Sequence, residues 1–312
     1  MLTLTRVLCP TDFSEVSTKA EAYATALAEH YDASLHLLHV DPPMPIMAPY
    51  GEIPVDVRLF EEQREQALAD LAAAGDRARA LGVDTATSVR GGHPAREILA
   101  AVDEQAADLL VLGTHGRGGV EHLLLGSVAE KIVRKAPCPV MVVPPASHPE
   151  TGVLFSRILC PVDGSAASQD AVAFALSLAR ETDGELTLLY VVEPVPASGE
   201  FGALDVEEYR RLGEAHARTV LAAAVPAEVR EWCRVRELIS SGKPSERIVE
   251  AARTGQADVI VMGVRGRGAI DLMAFGSTTN DVIRRAACPV LAVHPSAADR
   301  RRPGTAPAAA PV

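Results

Sequence analysis

Two segments of the chain carry the same spacing of small residues. Gly113-Thr-His-Gly116 is followed after nine residues by Gly126-Ser127, and Gly263-Val-Arg-Gly266 is followed after nine residues by Gly276-Ser277. The chemistry open to such a pattern is capture of an anion. Glycine has no side chain to hold a ligand away from the backbone N–H groups. A helix that starts at Gly-Ser presents free N–H groups and the positive end of its dipole to the same point. Ser127 and Ser277 each add a hydroxyl donor. Each copy also has an aspartate, Asp12 after Arg6-Val-Leu-Cys-Pro-Thr and Asp163 after Arg157-Ile-Leu-Cys-Pro-Val. One such Asp alone is a turn former or helix cap, and one glycine alone is a turn. Their joint recurrence is what points to a ligand.

The elements that must position these residues are repeated too. Leu37-Leu-His-Val40 returns as Leu188-Leu-Tyr-Val191, Gly92-His-Pro94 as Gly242-Lys-Pro244, and Cys138-Pro-Val140 as Cys288-Pro-Val290. The register is 151 positions early in the chain and 150 later, so the halves differ by one loop residue. Within a half, short apolar runs alternate with helical periods. Arg6–Cys9, Leu35–Val40, about 85–90, Leu109–Leu112 and Val140–Val143 read as strands; the fourth is apolar without alternation, as in a strand covered on both faces. Val16, Ala20, Ala24, Leu27, Ala28 and Tyr31 form one helical stripe, matched by Val172, Ala175, Leu176 and Ala179. Ser14 or Ser17, and Ser165, are candidate N-caps, and Pro94 suits a first helical turn. Longer helices are expected at about 55–81 and 205–224. Strands separated by helices need crossovers, hence a parallel, doubly wound sheet. The expected units are 1–145 and 153–295, joined by Pro144-Pro-Ala-Ser-His-Pro149. Residues 296–312 are rich in Ala, Pro and Arg, a composition that predicts disorder.

Composition limits the function. The 312 residues are long enough for two cores, and the 48% apolar content can fill them. A formal charge of −11 argues against a general nucleic-acid binder, which needs a broad basic face. No run of about 18 apolar residues spans a membrane, and the first residues do not form a signal peptide. The five cysteines show no CxxC spacing, so neither a disulfide framework nor a zinc site is indicated. Cys9, Cys138, Cys160 and Cys288 at strand ends read as small buried residues, consistent with a reducing cytoplasm.

The double Gly-x2-Gly-x9-Gly-Ser pattern, with an Asp just after the first strand, resembles the ATP-binding branch of the universal stress protein family. The resemblance covers about 290 of the 312 residues. It implies strand order 3-2-1-4-5 in each half, with the ligand crevice between strands one and four. It implies that Asp12 and Asp163 contact the adenosine moiety and that Val40 and Val191 meet adenine through the backbone. Leu112 and Met262 would line the base pocket. Gly113, Gly116, Gly126 and Ser127, with Gly263, Gly266, Gly276 and Ser277, would hold ribose and phosphates of ATP, ADP or AMP, with Mg²⁺ carried by the nucleotide. It also implies that the final strands pair across a two-fold axis, giving a pseudo-dimer within the chain and a homodimer beyond it.

Arg117 and Arg267 follow the second glycine of each site, where phosphate contact and a solvated loop arginine are both open readings. His115 and His122 have Arg265 and Leu272 as counterparts and are not assigned a role; His93 and Lys243 read as loop residues. The expected function is a nucleotide-dependent regulator of a stress response, read by a protein partner of unknown identity, with no catalytic residue assigned. The rivals are a slow ATPase or adenylyl-transferring enzyme of similar fold, and an interaction scaffold with empty sites. The chain has no GxxxxGK[ST] loop and no Ser-Gly-Gly loop after its first strand, which weighs against the enzyme.

Overall fold

The computed structural model describes residues 4–43, 57–116, 125–147, 155–194, 203–264 and 276–294. The first half runs β1 (Arg6–Thr11), α1 (Glu15–Tyr31), β2 (Ser34–Asp41), α2 (Val57–Ala80), β3 (Thr85–Gly91), α3 (Pro94–Gln105), β4 (Leu109–Gly113), α4 (Ser127–Lys135) and β5 (Val140–Val143). The second half repeats it as β6 (Arg157–Pro161), α5 (Ala166–Thr182), β7 (Glu185–Val192), α6 (Ala203–Ala224), β8 (Arg234–Ser241), α7 (Pro244–Thr254), β9 (Val259–Gly263), α8 (Ser277–Arg285) and β10 (Val290–Val293). A 3-10 turn at Ala227–Glu231, absent from the sequence reading, precedes β8.

The ten strands form one sheet in the order β3-β2-β1-β4-β5-β10-β9-β6-β7-β8, so each half has the expected order 3-2-1-4-5. Pairing is parallel inside each half and antiparallel where β5 meets β10, with Leu291 opposite Met141. Two apolar layers cover the sheet. One packs Val7, Leu35, Leu37 and Val111 with the buried stripe of α1 and with Leu71 of α2. The other packs Leu8, Leu38, Val40 and Leu110 with Ile98, Ile132 and Val133 of α3 and α4. Both layers run on into the second half, so β5 and β10 carry a continuous core across the junction.

Local signals explain the element ends. Ser14 and Ser165 cap α1 and α5, each side chain accepting from the N–H three residues on at 3.2 Å. Pro94 and Pro244 open α3 and α7. Asp32 and Asp183 end α1 and α5 in the left-handed region, at φ 51° and 49°. At the opposite end of the sheet from the glycine loops, Asp108 and Asp258 accept from the backbone N–H of Arg6 at 3.0 Å and Arg157 at 2.8 Å, tying β1 to β4 and β6 to β9. The segment after β5 is not purely a spacer: Pro144 and Ser147 are buried, and the Ser147 hydroxyl donates to the Ala287 carbonyl at 3.4 Å.

Candidate functional site

β1 and β4 are neighbours, but the chain leaves them toward opposite faces of the sheet, into α1 on one side and α4 on the other. A crevice must open where the direction reverses. There the structure has a cleft of about 720 Å³, within the usual size of small-molecule sites. Asp12, Val40, Leu112, Gly113, Gly116, Gly126 and Ser127 all line it. These are the seven residues singled out in the first half, drawn from the ends of three strands and the start of one helix.

The cup at α4 is built by Gly126. Its N–H donates to the Thr114 carbonyl at 2.8 Å, and its own carbonyl accepts the first helical bond from Glu130 at 2.9 Å. The Gly126 N–H is therefore engaged within the loop. The N–H groups of Ser127, Val128 and Ala129 have no partner inside the helix and stand at its positive end. Ser127 is exposed at the cleft. A Cβ on Gly126 would sit 3.2 Å from the Thr114 carbonyl and 3.3 Å from the His115 Cα, so the glycine lets the helix start close to the loop. Gly276 repeats this, donating to the Val264 carbonyl at 3.1 Å. Thr279, where the first half has Ala129, turns its hydroxyl to the Gly263 carbonyl at 3.0 Å and is buried.

The strand-end glycines have a packing reason. A Cβ on Gly113 would come 2.8 Å from Val16 Cγ1, and one on Gly263 would come 2.6 Å from the Ala167 carbonyl oxygen. Each lets the first turn of α1 or α5 lie on the strand end. Asp12 combines its turn and site readings. Its Oδ1 accepts from the Ser14 N–H at 3.1 Å, as Asp163 Oδ1 does from Ser165 at 2.9 Å. Its Oδ2 is directed at Gly116, where a Cβ would come within 1.9 Å of it. Leu112 and Met262 are buried at the ends of β4 and β9, and Val40 is buried near the end of β2, with Val191 half-buried at the end of β7. Gly266, Arg117, Arg267, Arg265, His122 and Leu272 lie outside the described residues.

One wall of the cleft was not read from the sequence. Thr11, Phe13, Ser17, His39, Asp41, Gln63, Gln66 and Asp70 line it from β1, α1, β2 and α2, and His115 lines the loop side. His39 Nδ1 lies 2.8 Å from the Thr11 carbonyl, its Nε2 lies 3.3 Å from Asp41 Oδ1, and its ring packs on Phe13. Asp41 Oδ2 meets Arg64 at 3.3 Å. Behind this wall, Thr11 donates to buried Glu21, which also meets Arg77 at 3.4 Å. Burial raises the Glu21 carboxyl above its ordinary range, against the Thr11 hydrogen bond and the Arg77 charge, which pull it down. His39 and Asp41 flank Val40, but their counterparts are Tyr190 and Val192, so a search for repeated residues passes over them.

The cysteines are free thiols, and Cys9, Cys138, Cys160 and Cys233 are buried. Burial pushes the thiols of Cys9 and Cys160 well up and that of Cys288 up to about 12, which keeps them protonated and inert. No group of His, Cys, Asp and Glu among the described residues is arranged to hold a metal ion. No helix among them is long and apolar enough to cross a membrane.

Fold and site together define a duplicated, doubly wound α/β protein with a cleft at its topological switch point. The family model of the universal stress proteins matches residues 3–144 and again 154–294, and the chain belongs to that family. A universal stress protein of Mycolicibacterium smegmatis is 28% identical over 301 residues, covering 93% of this chain and 97% of that one. One from Methanocaldococcus jannaschii is 35% identical over 140 residues, 44% of this chain and 81% of its own length. The crystal structure of a universal stress protein from Archaeoglobus fulgidus shares the fold, with TM-score 0.65 and 24% identity over 94% of this chain and 99% of that one.

Proposed function

We propose that the chain binds an adenine nucleotide, ATP with its Mg²⁺, in the first cleft and at the matching place in the second half, and acts as a nucleotide-dependent regulator. The observation that carries this is the convergence of Asp12, Val40, Leu112 and the three glycines on one cleft that ends at the start of α4. An anionic group at that helix start would receive N–H groups and the dipole without any basic side chain. An acidic chain can therefore hold phosphates locally. The apolar pair Val40 and Leu112 supplies a surface for a flat base, and Asp12 stands between base and phosphates, where ribose hydroxyls would meet its carboxylate. The role of Asp163, Val191, Met262, Gly263, Gly266, Gly276 and Ser277 in the second half is the same by position. The family name supports a stress-response setting, with a protein partner that reads the bound state.

The test is direct. The purified protein is heat-denatured and the supernatant assayed for ATP, ADP and AMP; nucleotide-free protein is then titrated with Mg-ATP by calorimetry. Binding approaching two equivalents supports the reading. No released nucleotide and no heat of binding would leave the scaffold rival standing.

A further inference from the structure

We propose that the two nucleotide sites are not equivalent: the first has a polar compartment, built around Asp41 on β2 and Gln63 and Gln66 on α2, that reads the amino edge of a purine base, and the second has this compartment sealed. The proposal rests on the nucleotide reading above and extends it to what each half selects.

The position of the compartment follows from the sheet. β2 and β4 lie on opposite sides of β1, so the wall at Asp41 and the cup at α4 stand at opposite ends of the cleft, with Asp12 between them. Two strand spacings separate them, about 10 Å. A nucleotide with phosphates at Ser127 therefore directs its base toward Val40, Asp41, Gln63 and Gln66.

The halves correspond residue by residue at this point but differ in chemistry. The Asp41 carbonyl accepts from the Gly92 N–H at 2.9 Å, and the Val192 carbonyl accepts from Gly242 at 3.0 Å, which makes Asp41 and Val192 equivalent. Ala67 and Leu71 of α2 are buried as Ala217 and Leu221 of α6 are, which aligns Gln63 with Gly213, Gln66 with His216 and Asp70 with Val220. In the second half α6 closes on the strand. A Cβ on Gly213 would come within 2.6 Å of Val192 Cγ1, Val192 is only 6% exposed, and the His216 ring meets Tyr190 edge-on at 6.0 Å. In the first half the Asp41 side chain is 30% exposed and lines the cleft beside Gln63 and Gln66.

The chemistry of the open compartment favours a donor. Asp41 is held by His39 and Arg64 at 3.3 Å each, which fixes the carboxylate while its remaining lone pairs stay able to accept. Gln66 Nε2 donates to Asp70 Oδ1 at 2.9 Å, which fixes that amide as well. An exocyclic amino group meeting a charged acceptor gains about tenfold in affinity or more. Val192 offers no such acceptor.

The experiment compares Mg-ATP with the Mg-complex of purine riboside triphosphate, which has hydrogen in place of the 6-amino group. Both are titrated calorimetrically into the nucleotide-free full chain, the Asp41→Val variant and the Asp41→Asn variant. In the wild type, losing the amino group weakens one site about tenfold more than the other. Asp41→Val, which copies the second half, abolishes that difference, and Asp41→Asn, which keeps an acceptor oxygen, retains part of it. Equal weakening of both wild-type sites, or a difference that persists in Asp41→Val, overturns the proposal while leaving nucleotide binding intact. Failure of the wild type to bind ATP overturns the nucleotide reading and this proposal together.

Discussion

Asp12 follows β1 and Gly116 follows β4, far apart in the sequence, yet a Cβ on Gly116 would lie 1.9 Å from Asp12 Oδ2. Asp12 is fixed from behind by the Ser14 N–H, so its carboxylate has little room to retreat. Gly116 shows no left-handed backbone, so an alanine there brings a steric conflict and no dihedral strain. Gly116→Ala is expected to displace the carboxylate and weaken Mg-ATP binding at the first site at least tenfold, with little change in melting temperature. The check is a double-mutant cycle with Asp12→Ala measured by calorimetry. If the two substitutions are simply additive, the contact does not set the site geometry.

The strand-end glycines predict a graded stability effect. Gly263 faces the Ala167 backbone at 2.6 Å, whereas Gly113 mainly faces the Val16 methyl at 2.8 Å. A methyl group can rotate away, but a helix backbone cannot. Gly263→Ala should therefore cost about 1–3 kcal/mol, the usual range for overpacking, and Gly113→Ala less. Urea denaturation of the two variants gives the order, and the reverse order would contradict the packing role of Gly263.

Glu21 predicts a pH-dependent stability. Its folded carboxyl titrates above the ordinary glutamate range because burial disfavours the charged form. The folded state therefore holds the proton more tightly than the unfolded chain does. Glu21's contribution is most favourable below the unfolded value and is lost as pH rises through the folded one. Glu21→Gln should be the more stable protein at pH 7, with its advantage shrinking as pH falls into the ordinary carboxylate range. Thermal melts of both proteins across that range decide it; an advantage that grows on acidification would mean that the pairing with Arg77 outweighs burial.

What the sequence made legible divides along repetition and period. The 151- and 150-residue registers, the stripe from Val16 to Tyr31 and the glycine spacing each recur, so the duplication and the alternation of strands and helices were readable in the sequence, whereas the strand order came from the family resemblance. The α2 wall was not. Gln63, Gln66 and Asp70 lie on a helix whose pattern reads as a solvated face, and only the fold brings that face over the ends of β1 and β2. Gly113 looked like a ligand glycine and is also a packing glycine, because a missing side chain looks the same in sequence whichever neighbour needs the space. The Gly-Ser pair marks where α4 starts but not which of its N–H groups stay free, and the turn back to Thr114 engages that of Gly126.

The final strands give the last prediction. Val140, Met141, Val142 and Val143 are each at most 1% exposed, and so short an apolar strand is buried because β10 pairs along its outer edge and the core layers continue past it. A chain cut after residue 147 would expose that edge, and an unpaired apolar edge recruits another strand. The β5 register with β10 is antiparallel, the arrangement that two identical strands reach through a two-fold axis. The first half alone is therefore expected to form a symmetric dimer through two copies of β5. Light scattering on the cut chain should give twice its monomer mass at micromolar concentration. Met141→Lys, which places a charge opposite its own copy at the centre of that pairing, should return a monomer or an aggregate. A cut chain that stays monomeric and folded without the substitution would show that β5 does not need a partner strand, and that the halves associate through their helices instead.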